Sequence, residues 1–521
     1  MTGSLLLGVD SGTSWVKSVV FDRAGRELAV ARREVPVHTP LPGRSEVDMH
    51  QAWEAAAATI SDVAHAVGGE QIGAVGIAGT SCGFWPIDHA GRPARSAILW
   101  NDGRASDIIT RWLERGIYRQ IFEHSGTAPF PGSILSSIRW AADEELQMLQ
   151  RTRWLLFHKD WLRYNLTGEL HHEESDVGYA PGDIRARVHS RRLFELCGID
   201  EYWDRLPAVV RSQDVVGAVT RAASRRVGLR PGTPVVAGAV DVVASALGGG
   251  VFRPGQACSI LGTSFLNSVV VAQPRFEPIE SGAQTAMPEG SWLRSVINTS
   301  GTINIDWLVN NLAAEERATA EATRRSVYDL IEETVAKIPP GAGGVIYHPY
   351  LSTAGIISPF AEPAARAQFF GISAEHTRAH LMRAIYEGTA LAMRDGYDSI
   401  GQPVEELTLV GGGARSAFWA QMFADATERR IAVTEGSEVG ARGVAMLAGI
   451  GIGTYRHLED AVASSVRVAA SYSPRPNRAR AYRTIYELYR HLYLNAREAW
   501  RLRPAMLSEL DAANSEEEPG A

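Results

Sequence analysis

The stretch "LLLGVDSGTSWVKSVVFD", residues 5–22, places the small polar residues DSGTS between two apolar runs. Both runs have the composition of β-strands. The turn between them offers hydroxyls and backbone N–H groups beside Gly12, which can adopt backbone angles closed to other residues. A turn of this composition is suited to bind an anion, phosphate above all. An ordinary hairpin uses the same residue types, so this segment alone leaves both interpretations open.

A second strand, G-T-S, strand pattern occurs at "ACSILGTSFLNSVVVA", residues 257–272. It follows a cluster of Gly and Pro that marks a boundary near the middle of the chain. One unit repeated near the start of each half predicts a duplicated domain whose two turns face a common cleft, with room for a nucleoside triphosphate. We predict domains at residues 1–247 and 248–504, and a disordered acidic tail at residues 505–521.

Short β-like runs alternate with helix-length amphipathic segments, which predicts an α/β protein, and the length predicts two large domains. The 521 residues are 45% hydrophobic, more than one core usually supports. A net charge of −7 with only short Arg runs gives no indication of a nucleic-acid partner. No uncharged apolar run reaches about 18 residues and no leader pattern opens the chain, so we expect no membrane partner and a cytoplasmic protein. Three scattered cysteines predict neither a metal clamp nor disulfides.

Two aspartates stand where strands are predicted to end. Asp10 lies at the first turn, where its carboxylate could hold Mg²⁺ or close an Asx-turn. Asp241 follows the apolar run "VVAGAV", residues 235–240, and precedes a helical segment. A carboxylate at the C-terminal end of a strand is placed to act as a general base, and it is equally suited to cap the helix that follows.

Seven motifs occur together in the order of one known family. They are "GVDSGTSWVKSVVFD" (8–22), "AILWNDGRA" (97–105), "LLFHKDWLRYNLTGEL" (155–170), "AGAVDVVASALGGG" (237–250), "SILGTSF" (259–265), "RAIYEGTALAMRD" (383–395) and "LVGGGARSAFWAQMFAD" (409–425). In this order the chain resembles the FGGY carbohydrate kinases from Leu5 to about Trp500. The resemblance implies two actin-like or ribonuclease H-like domains that close on ATP. It also implies Mg²⁺ and a small-molecule sugar or polyol substrate, and leaves the oligomeric state open, a homodimer included.

The resemblance also implies roles for individual residues. Asp241 would be the catalytic base that accepts the proton of a sugar hydroxyl as its oxygen attacks the γ-phosphorus, and Asp10 and Asp241 would hold Mg²⁺. The nucleotide-side candidates are Gly12, Thr13, Ser14, Gly262, Thr263, Ser264, Gly301, Gly411, Gly412, Gly413 and Ser416. The substrate-side candidates are Thr80, Ser81, Cys82, Asn101, Asp102, Arg104 and Asp241.

Two segments depart from the xylulokinase version of the family. Thr80, Ser81 and Cys82 occupy the places of a Gln-Met-His run that faces the sugar, which puts D-xylulose in doubt as the substrate. Residues 348–373 lack the Gly-Glu-Arg run of xylulokinases and look closer to erythritol kinase and L-xylulose kinase. We therefore expect transfer of the γ-phosphoryl group to a four- or five-carbon ketose or polyol.

Two other functions compete with the kinase interpretation. "GTSCG", residues 79–83, is the G-x-S-x-G of an α/β-hydrolase with Ser81 as nucleophile. That fold needs a helix directly after the serine, whereas "FWPIDHAGRP", residues 84–93, indicates a strand and a hairpin. A non-catalytic ATP-binding module is the second alternative, and such a module would need no base at Asp241.

Two charged segments receive structural interpretations. Lys159 and Asp160 are predicted to anchor the start of a helix through an ion pair, with the apolar residues that follow in the core. "HHEES", residues 171–175, is predicted to be an exposed segment, because adjacent histidines on a strand point apart and lack the spacing of metal ligands.

Overall fold

The computed structural model describes residues 3–179 and 181–516, which form two compact units. The first unit comprises Met1–Cys258, Val269–Arg294 and Thr434–Ala469, and the second comprises Ser259–Ser268, Ser295–Val433 and Ala470–Ala521. Residues 434–469 thus join the first unit although most of the second unit precedes them in sequence. The predicted domain boundary between residues 247 and 248 stays a prediction.

Strands and helices alternate along the chain, as the composition predicts. The strands are β1 Leu5–Ser11, β2 Trp15–Phe21, β3 Glu27–Glu34, β4 Val37–His38, β5 Glu46–Val47, β6 Ile72–Gly79, β7 Trp85–Asp88, β8 Ala97–Ile98, β9 Thr152–Leu156, β10 His172–Glu173, β11 Gly182–Asp183, β12 Val188–His189, β13 Val209–Val210, β14 Val215–Ala218, β15 Pro234–Val236, β16 Ala239–Val240, β17 Ala257–Leu261, β18 Phe265–Val271, β19 Ala283–Ala286, β20 Trp292–Asn298, β21 Ile346–His348, β22 Gln368–Phe370, β23 Glu406–Val410, β24 Arg430–Thr434 and β25 Val468–Tyr472. The helices are α1 Met49–Val67, α2 Ser106–Glu114, α3 Ile117–Ser125, α4 Ile134–Glu144, α5 Leu146–Arg151, α6 His158–Thr167, α7 Asp176–Tyr179, α8 Arg191–Cys197, α9 Arg221–Val227, α10 Asp241–Gly248, α11 Ile303–Asn311, α12 Ala314–Thr323, α13 Val327–Ala336, α14 Arg378–Ile400, α15 Ala417–Thr427, α16 Val439–Gly451, α17 Leu458–Ser465 and α18 Pro476–Glu516.

The first unit is built on a sheet with the strand order β14-β15-β6-β1-β2-β3, in which β16 also pairs with β6. The central strands β1 and β6 are buried on both faces, which explains the continuous apolar composition of β1, whereas the edge strand β3 is largely exposed. Leu5 and Leu7 pack in the same core as α1, whereas Leu6 packs in a separate core with α10 and α16, because alternate side chains of a strand point to opposite faces.

Glycines in β1 and β6 let α16 approach the sheet closely. A Cβ at Gly8 would lie 1.9 Å from the Ala441 carbonyl oxygen, and a Cβ at Gly76 would lie 2.1 Å from that of Val444. These distances are far below van der Waals contact, so neither position admits a side chain while α16 keeps its place. The glycines of "IGAVGIAG" therefore serve packing of a helix on the sheet.

The second sheet contains the second strand, G-T-S, strand unit, and its order is β19-β20-β18-β17-β23-β24-β25. In the first unit the Gly12 N–H donates to the Trp15 carbonyl at 2.9 Å, and in the second the Gly262 N–H donates to the Ser264 carbonyl at 2.9 Å. The predicted duplication of a strand, turn, strand unit is confirmed. The second unit buries α14 along most of its length, with α15 packed against it.

Two sequence predictions meet a different outcome in the structure, and the strand and hairpin predicted at residues 84–93 are confirmed. A disordered tail was predicted from residue 505, but residues 505–516 continue α18, because the segment is rich in helix formers. Residues 517–521 lie outside the described part of the chain. Glu173 and its neighbours in "HHEES" are buried rather than exposed. Ser81 is followed by β7 and a bridge of Ile87 to Pro93, so no helix opens there as a hydrolase would require.

Within residues 3–179 and 181–516, none of the helices has both the length and the apolar character that crossing a bilayer demands.

Candidate active site

Three parallel-paired strands of the first unit end side by side. Ser11 at the end of β1 lies opposite Gly79 at the end of β6, and Gly79 also lies opposite Val240 at the end of β16. The segments that continue from these ends are the turn at residues 12–14, the run Thr80, Ser81 and Cys82, and Asp241. Carboxyl ends of parallel strands are where ligands bind in α/β sheets, so the sheet collects these predicted site residues at one edge.

Asp241 is the first residue of α10, and Val240 occupies the cap position. Asp241 is therefore not the N-cap of α10, which was the alternative predicted for it. The Asp241 carboxylate accepts a hydrogen bond from the Val242 N–H at 2.8 Å, and the nearby Ser81 N–H also favours its charged form. Burial, and next the neighbouring charge of Asp10, raises the pKa of Asp241 to about 7. A carboxyl group with a pKa near neutrality can accept a proton from an alcohol in the course of its reaction.

The Asp10 carboxylate lies beside the start of α16. Burial raises the pKa of Asp10 to about 6, with the Lys17 ammonium opposing that rise and Glu438 adding to it. Lys17 and Glu438 form an ion pair of 2.7 Å. A Cβ at Gly440 would lie 2.5 Å from Asp10 Oδ2, so only glycine lets the helix meet this carboxylate in its present position.

The Asp10 and Asp241 pair has the donor chemistry of a magnesium site. Mg²⁺ prefers oxygen ligands and is commonly held by one or two carboxylates, with water and phosphate oxygens completing its octahedron. Among the described residues no group of three or more His, Cys, Asp or Glu side chains is arranged to hold a metal. A Mg²⁺ ion held by Asp10 and Asp241 would therefore take its other ligands from water and a bound phosphate chain.

His158 connects two of the three strand ends, and its role was not predicted from the sequence. Its ring nitrogens are hydrogen-bonded to Ser11 Oγ at 2.9 Å and to Thr80 Oγ1 at 3.1 Å. The imidazole stacks on Trp85 with ring centroids 4.4 Å apart. Burial lowers the pKa of His158 to about 3, so the ring is neutral and donates to one hydroxyl while accepting from the other.

Ser81 and Cys82 face a buried tyrosine that follows them by nearly a hundred residues. The Ser81 side chain lies near the Tyr179 hydroxyl and the Cys82 thiol, where it partly opposes the rise that burial causes in the pKa of each group. Cys82 has a φ of 67°, a conformation that few residues other than glycine adopt. Burial raises the pKa of the Cys82 thiol well above its usual value, which keeps the sulfur protonated. Tyr179 is therefore an additional residue at the substrate-side run.

The three candidates of the "WNDGR" loop do not share one environment. Asp102 is buried and accepts hydrogen bonds from the Ser45 N–H at 2.6 Å and from Arg104 Nε at 2.8 Å. The Arg104 guanidinium is also buried and lies 4.7 Å from the centre of the Trp140 ring. Asn101 is exposed. Asp102 and Arg104 thus hold the loop together, and their predicted place beside the sugar stays a prediction.

In the second unit, residues 299–302 support the G-T-S turn. The Gly301 N–H donates to the Thr263 carbonyl at 2.7 Å, and the Thr302 N–H donates to the Gly262 carbonyl at 2.8 Å. A Cβ at Gly301 would lie 2.5 Å from the Gly262 carbonyl oxygen. Gly301 is buried, whereas Gly262 and Thr263 are exposed. Gly301 therefore holds the turn, and the turn itself is open to a ligand.

The glycine run after β23 lies beside the end of β17. Gly411 has a φ of +92°, and a Cβ there would lie 2.5 Å from the Leu261 carbonyl oxygen, while Gly412 meets no atom within 4 Å. Ser416 caps α15: its Oγ accepts from the Trp419 N–H at 2.9 Å and donates to Glu332 Oε1 at 2.6 Å. The Ser416 hydroxyl is thus occupied within the protein, and its predicted contact with ATP remains untested.

Two α/β units with a repeated glycine turn, and two carboxylates at adjacent strand ends, define a phosphotransferase of the actin-like ATPase fold. The N-terminal domain of the FGGY family of carbohydrate kinases matches residues 5–248, and the C-terminal domain of the family matches residues 257–452. The chain belongs to the FGGY family of carbohydrate kinases. It is accordingly an enzyme that acts on a sugar-like small molecule, with ATP as the phosphoryl donor that the family uses.

Similar proteins match over nearly the full length of the chain. The erythritol kinase of Brucella abortus (strain 2308) is 31% identical over 513 residues, which cover 96% of this chain and 97% of the relative. The L-xylulose/3-keto-L-gulonate kinase of Escherichia coli (strain K12) is 30% identical over 501 residues, covering 93% and 96%. The structure of xylulose kinase from Rhodospirillum rubrum has a TM-score of 0.86 at 26% identity, covering 95% of this chain and all of that one.

Proposed function

We propose that this enzyme transfers the γ-phosphoryl group of Mg·ATP to a hydroxyl of a four- or five-carbon polyol or ketose, with Asp241 as the general base. The observation that carries the proposal is the position of Asp241. Its carboxylate lies at the end of β16 beside the Ser81 N–H, and burial, with the nearby charge of Asp10 as the second cause, raises its pKa to about 7. The resemblance to relatives named for erythritol and L-xylulose supports the substrate class.

In the proposed reaction Asp241 accepts the proton of the attacking hydroxyl, which leaves the oxygen free to bond to phosphorus. The N–H groups that follow the glycine in each G-T-S turn donate to phosphate oxygens as charge develops on them. Mg²⁺, when held by Asp10 and Asp241, would neutralise charge on the phosphate chain. No lysine of a P-loop is needed in this arrangement, because backbone N–H groups and the metal take its part.

The acceptor side of the proposed site is formed by Thr80, Ser81, Cys82 and Tyr179. Ser81 lies near both Asp241 and Tyr179, and the charge of Asp241 also acts on Tyr179, so Ser81 and Tyr179 lie near the proposed base. The Thr80 hydroxyl is hydrogen-bonded to His158. An acceptor that presents its reacting hydroxyl to Asp241 would meet hydroxyl groups beside it, which suits a short polyhydroxylated chain.

The test is ADP release from Mg·ATP with a panel of erythritol, threitol, erythrulose, xylitol, glycerol and both enantiomers of xylulose and ribulose, against a control without acceptor. The proposal expects one group of four- or five-carbon acceptors to raise ADP release well above the control. Tight ATP binding with no response to any acceptor would instead favour the non-catalytic ATP-binding module.

A Tyr179→Phe variant tests the acceptor side. We expect it to raise KM for the acceptor roughly 5- to 10-fold, because one hydrogen bond beside the base is lost, while KM for Mg·ATP stays within about twofold. Steady-state kinetics with each substrate varied in turn makes the comparison. Tyr118→Phe removes the hydroxyl of a half-buried tyrosine on α3 and is the matched control, expected to change neither constant. An equal change in both KM values would remove Tyr179 from the acceptor side.

A further inference from the structure

A cluster of buried charged side chains supports β16, the strand that directly precedes Asp241. The Lys159 ammonium is its centre, 3.1 Å from Asp160 Oδ1, 3.8 Å from Glu173 Oε2 and in contact with Asp176. The side chains of these four residues are at most 1% exposed. Burial raises the pKa of Glu173 and of Asp176, an effect that the ammonium of Lys159 opposes. The predicted ion pair of Lys159 with Asp160 is confirmed as one part of this larger cluster.

Ser175 joins the cluster to the backbone just before Asp241. The Ser175 N–H donates to Glu173 Oε1 at 3.0 Å, and the Ser175 hydroxyl donates to Glu173 Oε2 at 2.5 Å. The same hydroxyl oxygen accepts the Val240 N–H at 2.9 Å. Because the single hydroxyl proton is used on Glu173, the lone pairs of Ser175 are aimed at Val240.

The residues that precede Val240 are held by the same cluster. Arg163, paired with Asp160, donates to the Ala237 carbonyl at 2.6 Å. The Gly238 N–H donates to the Ser212 carbonyl at 3.0 Å, and the Ser212 hydroxyl donates to Glu173. Side chains of the cluster thus fix the segment from residue 237 to residue 240 through backbone groups.

This support matters because β16 has little sheet pairing of its own. It is two residues long, and its partners in β6 are Ala78 and Gly79. The Val240 N–H points to Ser175 rather than to another strand. A shift of Val240 would move Asp241, which follows it directly at the start of α10. A displacement of about 1 Å at a catalytic group can cost roughly 100-fold in rate.

We propose that Ser175, oriented by Glu173, is a positioning residue that holds the Val240 backbone and thereby sets the place of the Asp241 carboxylate. The inference rests on the proposed function of Asp241 as general base. Ser175 acts through the Val240 backbone rather than through contact with a substrate. It should therefore affect the chemical step more than the binding of Mg·ATP.

The experiment compares two serines that donate to the same Glu173. Ser175→Ala removes the acceptor of the Val240 N–H, whereas Ser212→Ala removes a hydroxyl that bonds the carboxylates of Glu173 and Glu174 and no backbone group of residues 237–240. We expect Ser175→Ala to lower kcat roughly 10- to 100-fold with KM for Mg·ATP changed less than about threefold. Ser212→Ala should keep kcat within about threefold. Ser175→Thr, which keeps the hydroxyl, should recover most of the lost kcat.

Several results would overturn the inference. One is a Ser175→Ala enzyme with unchanged kcat, and another is an equal loss of kcat in both alanine variants. If Ser175→Ala does not fold, the nearly isosteric Ser175→Cys takes its place, with an expected loss of roughly 5- to 30-fold because a thiol is a weak acceptor. A wild-type enzyme that phosphorylates no acceptor would overturn the proposed function and this inference with it. An active wild type beside an unaffected Ser175→Ala would overturn this inference alone.

Discussion

Replacement of Asp241 by asparagine is expected to lower kcat by roughly 10²- to 10⁴-fold, because an amide cannot accept the proton of the attacking hydroxyl. The Kd for ATP should change little, since the phosphates are held by backbone N–H groups. The thermal midpoint should not fall. Burial and the charge of Asp10 both oppose ionisation of Asp241, so the neutral amide relieves a repulsion. Acceptor-dependent ADP release, ATP binding by calorimetry and a thermal scan measure the three quantities.

Asp48→Asn is the matched control for this substitution. Asp48 caps α1 by accepting the N–H groups of His50 and Gln51, and asparagine caps a helix about as well as aspartate. The control enzyme should keep kcat within about twofold. Full acceptor-dependent ADP release by Asp241→Asn would contradict the assignment of the base and return the non-catalytic module to consideration.

The sequence allows prediction of the features that depend on local pattern. The pattern of residues 378–400 predicts a long helix, and α14 spans the same residues. The apolar run at residues 72–79 predicts a buried strand, which is β6. Asp241 could be located because a buried parallel strand is a continuous apolar run and the first polar residue after it lies at the strand end. The repeated G-T-S turn can be recognised from two short segments of the sequence.

Contacts between distant segments cannot be predicted from the local sequence pattern. His158 bonds Ser11, which is 147 positions away, and Thr80, which is 78 positions away. Contacts between residues so far apart do not alter the local composition of the sequence. The fit of a glycine at position 440 follows from the close approach of α16 to the Asp10 carboxylate, and that approach depends on how α16 packs. A glycine inside a helical segment otherwise reads as a weak point of the helix.

The burial of Glu173 shows why charge is a poor guide to exposure in this chain. Charged residues are rarely buried unless they are paired, and "HHEES" contains no cation that would pair with its glutamates. The partner is Lys159, which lies on α6 and reaches Glu173 only in the folded chain. The sequence contains only three lysines, which makes Lys159 unusual, but its several partners depend on the fold and cannot be identified from the sequence.

The largest effect on stability is expected from Lys159→Met. Removal of the ammonium leaves buried carboxylates without their countercharge, and breaking a buried ion pair from one side typically costs about 3–5 kcal/mol. A methionine fills a similar volume, so the loss would report charge rather than a cavity. Differential scanning calorimetry should show the unfolding transition lowered by roughly 10 °C. Lys337→Met is the control, because Lys337 is exposed on the second unit and its loss should move the transition by less than about 1 °C.

A double variant separates charge from shape at this position. Lys159→Met combined with Asp176→Asn removes the cation together with the carboxylate it contacts, so part of the lost stability should return. If Lys159→Met unfolds at the same temperature as Lys337→Met, the cluster does not depend on its central cation. The hydrogen bonds of Glu173 to its two serines would then have to hold the strand before Asp241 without help from that charge.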